Sequence, residues 1–141
     1  KGIPWRGHNT LPSEVLVPLE KLNSNLGEKL YLENCSSCHG VDGQGVDIGD
    51  KRAGPLWGPN SWNDGAGAAR TYTLAGMIRN WMPYLYPGKL TVEEAQHIAA
   101  YITSKPRPQF PFKEKDYLKE KIPVDAVYYP QLYPKNPLRN R

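Results

Sequence analysis

The sequence has no third cysteine, no long apolar run and no cluster of basic residues. A membrane-crossing helix needs about 20 apolar residues in succession, and no segment approaches that length, so no transmembrane segment is expected. The 18 basic and 14 acidic residues give a formal charge of +4 but are scattered along the chain, which argues against nucleic acid as a partner. The opening residues, KGIPWRGHNT, have neither a start methionine nor an apolar signal region, and we interpret the chain as a processed product.

Length and composition predict a single domain with much irregular backbone. A chain of 141 residues can form one modest core. Its 13 glycines and 14 prolines disfavour long regular elements, and the hydrophobic fraction of 39% is low. We therefore expect part of the stability to come from a group that is not protein.

Both cysteines lie in the segment ENCSSCHGVDGQG, Glu33 to Gly45, and a histidine directly follows the second. Cys-x-x-Cys-His is the attachment motif of haem c, in which each thiol adds to one vinyl group and the imidazole is held beneath the iron. We predict one covalently attached haem c, with Cys35 and Cys38 as thioether anchors and His39 as the proximal iron ligand. Because this attachment takes place outside the cytoplasm, the motif also predicts a periplasmic protein.

Paired cysteines also occur in redox dithiols, zinc sites and disulfides. A thioredoxin-like dithiol would lie among alternating strands and helices, and the sequence around Cys35 shows no such alternation. A zinc site would need more ligands, and His8 and His97 are distant in sequence and unpaired. A disulfide across two residues would be strained and would close only a short loop. Haem attachment is therefore the preferred interpretation.

The residues before the motif, NLGEKLYLEN, predict a short amphipathic helix that carries the thiols to the haem edge. Leu26, Leu30 and Tyr31 recur at helical spacing within it. Asn25 and Glu28 have the spacing of a capping box, in which two side chains cap the helix N-terminus reciprocally.

Two further helices are predicted downstream. The segment TYTLAGMIRNWM places Leu74, Ile78 and Trp81 on one side, and Pro83 ends the helix because proline disfavours helical backbone in the residue before it. The segment LTVEEAQHIAAYITSK opens with a capping box over Thr91–Glu94. Its apolar face consists of Val92, Ala95, Ile98, Ala99 and Ile102.

Between the motif and the second helix lies a long segment, Gly40–Gly67, which is rich in Gly, Asp, Asn and Pro and has no sustained period. Long loops in compact domains are usually functional. We predict that this loop wraps the proximal side of the haem and that a carbonyl near Gly54 or Pro55 accepts the ring N–H of His39. No segment alternates convincingly as a strand.

Three residues in and after this loop are candidates for haem contact. Arg70 could clamp a haem propionate through a bidentate pair or remain solvated, and both interpretations stay open. Trp57 and Trp62 are expected to flank the haem, although core packing alone would also explain them.

A low-spin haem that transfers electrons needs a second axial ligand, and a methionine thioether favours ferrous iron. Met77 lies mid-helix, where methionine usually fills the core. Met82 lies at the helix end before Pro83, where the chain can turn and hold the sulfur against the iron, so we predict that it is the sixth ligand.

His97 lies between two core positions and is expected to be a partly buried, hydrogen-bonded histidine. His8 is expected to be exposed.

These patterns predict an all-α fold in one domain. We place a leader or linker at residues 1–24, a monohaem domain at residues 25–105 and an extended tail rich in Pro and Tyr at residues 106–141. The tail has no period but contains many aromatic residues, which disordered segments seldom do, so we expect it to pack on the domain.

The order of these elements resembles that of class I cytochromes c: a helix into Cys-x-x-Cys-His, a glycine-rich loop, a Met-Pro at the end of an inner helix and a capped C-terminal helix. A closer resemblance, to the C-terminal haem domain of the dihaem thiosulfate dehydrogenase family, is carried by GPLWGPNSWNDGAGAAR, IRNWMPY, PGKLTVEEAQHIAAYITSKPRP and IPVDAVYYP. It covers approximately residues 26–130. The resemblance implies the class I cytochrome c fold, and Cys35, Cys38, His39 and Met82 match the haem-binding residues of that domain.

The resemblance also implies a one-electron carrier in the oxidation of thiosulfate or a related sulfur compound. The implied partners are a sulfur-compound dehydrogenase as donor and a terminal oxidase or another cytochrome as acceptor. The family's catalytic haem pairs histidine with an axial cysteine in an N-terminal domain that has no counterpart in this sequence, and both cysteines here are assigned to thioethers. We therefore expect an electron carrier rather than an enzyme. The alternative is a haem-bearing subunit or a detached domain of a sulfur-oxidising enzyme complex.

One position departs from a feature of some family members. These carry a lysine just before the Met-Pro, and that lysine can replace the methionine as ligand on oxidation. Trp81 occupies this position here, so we expect no such exchange.

Overall fold

A computed structural model describes residues 10–118 and 121–139 of the chain. The helices in this part are α1 (Ser24–Asn34), α2 (Ser36–His39), α3 (Thr71–Trp81), α4 (Val92–Thr103) and α5 (Lys113–Asp116). One antiparallel hairpin pairs β1 (Val46–Ile48) with β2 (Lys51–Ala53), and short 3₁₀ turns occur at Ser13–Val15, Leu19–Lys21 and Gly67–Ala69. The predicted all-α class is confirmed. His8 and most of the predicted leader's first ten residues lie outside the described residues.

Helix α4 lies at the centre of the fold and packs against both α1 and α3. Most of its predicted apolar face is at most 2% exposed, namely Ala95, Ile98, Ala99 and Ile102. The crossing with α1 is close because Gly27 faces α4, where an added Cβ would lie 1.9 Å from the carbonyl oxygen of His97. Helix α4 therefore fixes the position of α1 and of the cysteine motif that follows it.

The predicted capping box at the start of α4 is present. Thr91 Oγ1 accepts a hydrogen bond from the Glu94 N–H at 3.1 Å, and the Thr91 N–H donates to Glu94 Oε1 at 2.8 Å. These two bonds satisfy N–H groups that have no partner within the helix.

We expect Thr91→Ala to lower the free energy of unfolding by about 1 kcal/mol, since an N-cap hydroxyl contributes roughly that amount. Urea denaturation of the purified protein measures the change. Thr91→Ser retains the hydroxyl and is the control, and equal losses in the two variants would contradict the cap.

The predicted capping box of α1 is wrong in its residues. The N-cap is Asn23, whose side-chain oxygen accepts hydrogen bonds from the N–H groups of Asn25 and Leu26 at 3.0 and 3.1 Å. The helix therefore begins one residue before Asn25, and Asn25 lies inside its first turn. Leu26 is also 38% exposed, whereas Tyr31 is fully buried.

Helix α3 ends where Pro83 predicts, with Met82 as its extended C-cap. Leu74 and Ile78 are buried, but Trp81 is 55% exposed, so its assignment to the same packed face is wrong. Trp81 is the last residue of α3, and the helical period does not determine whether another element covers its side chain. Met77 is 36% exposed, so the core-filling role expected for it is wrong as well.

The hairpin is an element that the sequence did not predict. Val46 pairs with Ala53, and the two-residue turn contains Gly49 at φ +59°. Each strand has three residues and Asp47 and Ile48 are exposed, so no alternation of apolar and polar side chains marks the strands.

Segments before α1 and after α4 pack onto the side of α4 near Ala100. Leu22, Val127 and Leu138 are at most 1% exposed and form one cluster with Ala100. The buried side chain of Gln96 ties residues 15–17 to α4: the Val17 N–H donates to Gln96 Oε1 at 2.7 Å, and Gln96 Nε2 donates to the Val15 carbonyl at 3.0 Å. The domain boundaries proposed from the sequence stay a prediction. No helix within the described ranges is long and apolar enough to cross a membrane.

Candidate metal centre

The cysteine motif occupies a single helical turn. Cys35 ends α1, where its N–H donates to the Tyr31 carbonyl at 2.8 Å, and it also precedes α2. The N–H groups of Cys38 and His39 both donate to the Cys35 carbonyl, at 3.2 and 2.9 Å. The two cysteines form no disulfide with each other, and both are half-buried. The fold therefore holds the two thiols and the imidazole together on one compact turn.

The environment of Cys35 does not favour a redox dithiol. Burial, followed by the charge of Cys38, raises the pKa of the Cys35 thiol to about 12. A reactive dithiol needs a thiol pKa that is lowered, so that the thiolate forms near neutral pH. The zinc alternative lacks ligands, because no three His, Cys, Asp or Glu side chains are grouped to hold a metal ion within residues 10–118 and 121–139.

The ring of His39 is oriented by the loop that follows it. His39 Nδ1 lies 3.0 Å from the Gly54 carbonyl oxygen. A carbonyl only accepts, so Nδ1 carries the proton and Nε2 keeps the lone pair that a metal ion requires. The acceptor predicted near Gly54 or Pro55 is thus the Gly54 carbonyl, and Pro55 is the half-buried residue that follows.

The turn after His39 is held from the core side. The Gly45 N–H donates to the His39 carbonyl at 2.7 Å, and the hydroxyl of Tyr31 donates to the Gly40 carbonyl at 2.6 Å. Burial raises the pKa of Tyr31, so its phenol remains a donor at neutral pH. Gly40 has φ +84°, a conformation that favours glycine and lets the chain reverse directly after the histidine.

Met82 and Cys35 pack against the same buried cluster, which includes Tyr31, Leu74 and Ile78. The backbone of Met82 is extended, and its N–H donates to the Ile78 carbonyl at 3.0 Å, which ends α3. The end of α3 and the start of the cysteine motif are therefore anchored to one core.

His97 has the structural role that was predicted for it. The ring is 5% exposed on α4, and its Nδ1 accepts a hydrogen bond from the Asn23 N–H at 3.0 Å. Its Nε2 lies 3.2 Å from Glu93 Oε2. Both ring nitrogens are engaged, so neither is left to bind a metal ion.

Comparison with known proteins agrees with this arrangement. The family model described as cytochrome c matches residues 24–105, more than half of the chain. The chain belongs to the cytochrome c family. A cytochrome c domain implies haem c with its iron, and the predicted class I cytochrome c fold is confirmed.

Two curated relatives of this cytochrome c are thiosulfate dehydrogenases. The protein of Psychrobacter arcticus is 44% identical over 106 residues, which cover 74% of this chain and 32% of the relative. The protein of Stutzerimonas stutzeri is 45% identical over 110 residues, which cover 77% of this chain and 34% of the relative. This cytochrome c thus spans about a third of the length of the curated relatives it matches.

A solved structure shows the same relationship. The thiosulfate dehydrogenase TsdBA from Marichromatium purpuratum superposes with a TM-score of 0.68 at 36% identity, over 81% of this chain and 25% of that one. The predicted resemblance to a thiosulfate dehydrogenase haem domain is confirmed.

Unpartnered buried donors test whether the cytochrome c fits a haem. Among the described residues, Trp62 Nε1 and the Nε atoms of Arg70, Arg79 and Arg107 are buried and have no hydrogen-bond partner. Buried N–H groups are normally paired. A haem brings two propionate carboxylates that accept such bonds, and Trp62 packs against the cluster that also contacts Cys35 and Met82. The donor set therefore suits a haem.

The predicted contacts of Arg70 and Trp57 with haem stay predictions. Arg70 Nη1 donates to the Tyr117 hydroxyl at 3.4 Å. Trp57 is buried in an aromatic group, with its ring centroid 5.4 Å from that of Tyr31 and 5.6 Å from that of Tyr101. Core packing already accounts for this position of Trp57.

Sequence reasoning missed Arg107, which lies in the tail directly after α4. Its guanidinium binds the Leu56 carbonyl and stacks 4.7 Å from the Trp62 ring centroid. No pattern in the tail marks this arginine, because its partners lie 45 to 51 positions earlier in the chain.

Proposed function

We propose that this cytochrome c transfers single electrons in the periplasm, within a chain that oxidises thiosulfate or a related sulfur compound. The observation that carries the proposal is the His39–Gly54 hydrogen bond, which leaves Nε2 of a Cys-x-x-Cys-His motif with the lone pair that would bind a metal ion. The similarity to thiosulfate dehydrogenases supports thiosulfate or a related sulfur compound as the source of the electrons.

The residues would hold one haem as follows. Cys35 and Cys38 would form the thioethers, and His39 and Met82 would bind the iron. Haem c, when bound, supplies a couple that takes up or releases one electron. The Gly54 carbonyl fixes the ring of His39, and the end of α3 fixes Met82 against the core. Because a hydrogen bond holds His39 and packing holds Met82, little has to move when the charge of the site changes.

Charge bears on the choice of partner. The formal charge of +4 favours an acidic docking surface on a sulfur-compound dehydrogenase as donor, and on a terminal oxidase or another cytochrome as acceptor. Transient complexes of this kind are small and weaken as salt screens the charges.

The test mixes the oxidised, haem-loaded protein with thiosulfate and follows haem reduction by its visible absorption. We expect fast reduction only when a thiosulfate dehydrogenase is added in catalytic amount, with a rate that falls as salt is raised. The dehydrogenase without thiosulfate is the control. Sustained turnover of thiosulfate by this chain alone would show that it is an enzyme and overturn the carrier proposal.

A second candidate is a haem-bearing subunit or detached domain of a sulfur-oxidising enzyme complex. The relatives favour it, since the region of each that matches this chain is about a third of a protein named thiosulfate dehydrogenase. Native mass spectrometry of the protein isolated from its source decides between the two. A mass of one chain plus one haem supports the carrier, and a larger stable assembly with dehydrogenase activity supports the subunit.

A further inference from the structure

We propose that Arg107 is a positioning residue that holds a buried positive charge beside the metal centre and thereby raises its reduction potential. The inference rests on the proposed function, because it requires a redox-active haem held by His39.

Arg107 is a buried cation whose hydrogen bonds go to neutral groups. It is 9% exposed. Its guanidinium donates to the Leu56 carbonyl at 2.8 Å, the Ser61 hydroxyl at 3.1 Å and the Trp62 carbonyl at 3.4 Å. Within residues 10–118 and 121–139, no carboxylate forms an ion pair with it. Taking a charge out of water is costly, so the retention of Arg107 at this place points to a use of its charge.

The bonds of Arg107 lead to the residues that orient His39. The Leu56 carbonyl that it binds lies two residues after Gly54, the acceptor for the His39 ring. The Leu56 N–H in turn donates to the Gly43 carbonyl at 2.7 Å. Leu56 is thus held on one side by the turn after the haem motif and on the other by the tail.

The second contact of Arg107 is with Trp62. The guanidinium lies over this indole, and Trp62 Nε1 is one of the buried donors without a described partner. Both Leu56 and Trp62 pack against the cluster that also contacts Cys35 and Met82. The charge of Arg107 therefore lies against two residues that pack on the same cluster as Cys35 and Met82.

A positive charge at this place favours the reduced state of the centre. Reduction lowers the positive charge of the iron by one, so a nearby cation destabilises the oxidised state more than the reduced state. Burial strengthens the effect, because the low dielectric of the interior screens the interaction less than water does.

The experiment measures the reduction potential of the haem-loaded protein by spectroelectrochemistry. Arg107→Gln keeps an N–H donor and removes the charge, and we expect the equilibrium constant for reduction to fall at least threefold, which is about 28 mV at 59 mV per tenfold change. Arg107→Lys keeps the charge, and we expect less than half of that shift. Arg139→Gln is the matched control, because Arg139 also binds a carbonyl just after α4, at 3.3 Å from the Ser104 oxygen, but is exposed.

If the equilibrium constant for reduction falls less than threefold in Arg107→Gln, the proposal is overturned and Arg107 is a structural residue. This holds whether or not the variant also has a lower thermal unfolding temperature. An equal fall in Arg139→Gln or Arg107→Lys would overturn it too, because the effect would then not depend on a charge at this place.

A second variant covers failure of Arg107→Gln to fold. Ser61→Asp places a carboxylate against the guanidinium and neutralises its charge without removing Arg107. We expect the equilibrium constant for reduction to fall at least threefold in this variant. Asn60→Asp adds the same charge at the exposed neighbouring position and is expected to have less than half of that effect; equal effects overturn the proposal. The haem content and ligation of the wild-type protein are checked first, and their failure would refute the proposed function without reference to Arg107.

Discussion

Replacing Met82 by alanine is expected to abolish the weak sulfur-to-ferric-iron charge-transfer band in the near-infrared spectrum and to lower the reduction potential. A thioether ligand stabilises ferrous iron, and axial ligands set haem potentials over a range of about 0.8 V. Loss of the ligand should therefore cost on the order of 0.1 V or more. The spectra of the oxidised and reduced protein, with a redox titration, measure both changes.

Met77→Ala is the matched control, since these are the two methionines of the chain, one within α3 and one directly after it. Met77 is 36% exposed and lies within the helix, five positions before Met82. We expect the band and the potential to survive in Met77→Ala. The assignment fails if this variant loses the band while Met82→Ala retains it, or if the wild-type ferric protein is high-spin.

Replacing Gly27 by alanine is expected to destabilise the fold by about 2–3 kcal/mol, near the upper end of the range for overpacked sites. The new Cβ would lie 1.9 Å from the carbonyl oxygen of His97 and 2.9 Å from the Cβ of Tyr101. The first of these contacts is with backbone, which cannot swing away, so α1 and α4 must separate. The higher helix propensity of alanine offsets only about 1 kcal/mol of this cost. Urea denaturation of the haem-loaded protein measures the change.

Gly67→Ala tests whether the loss comes from the helix crossing. A Cβ at Gly67 would meet the Arg70 side chain at 3.7 Å and Thr73 at 3.8 Å, which are ordinary contacts. We expect its free energy of unfolding to stay within about 0.5 kcal/mol of the wild type, as is usual for substitutions that disturb no packing. Similar losses in both variants would contradict the close crossing.

The parts of the fold that the sequence predicted are those with a local cause. The capping box over Thr91–Glu94 and the stop before Pro83 depend on residues only a few positions apart, and the structure has both. The haem motif is equally local, because its spacing is set by one helical turn. The acceptor for His39 was predicted to within one residue because the loop was expected to wrap the haem and to bring one of its carbonyls to the imidazole of His39.

The errors occurred where a tertiary contact competes with a local pattern. Asn25 and Glu28 have the spacing of a capping box, but Asn23 caps the helix, and its backbone N–H is also held by the buried His97. Trp81 follows the helical period of α3 but lies at the helix end, where it is exposed. Periodicity indicates which side chains could share a face, and not whether a neighbour covers that face.

The contacts of the tail, residues 106–141, were even harder to predict from local patterns. Arg107 reaches Leu56 and Trp62, and Asp64 accepts both the Phe110 N–H and the Lys113 ammonium. Each of these bonds joins positions more than 40 apart in a segment without periodicity. Such pairs follow from the folded path of the chain, which a single sequence does not reveal.

The close crossing of α1 and α4 also has a consequence for the order of folding. Helices α3 and α4 are neighbours in sequence and can pair early, whereas α1 reaches α4 only after the long segment between Asn34 and Val92 closes into a loop. His39 follows α1 in the chain, whereas Met82 directly follows α3. The two proposed iron ligands would therefore come together in the late, nonlocal step, and any partial opening that separates α1 from α4 would part His39 from Met82 while α3 and α4 remain paired.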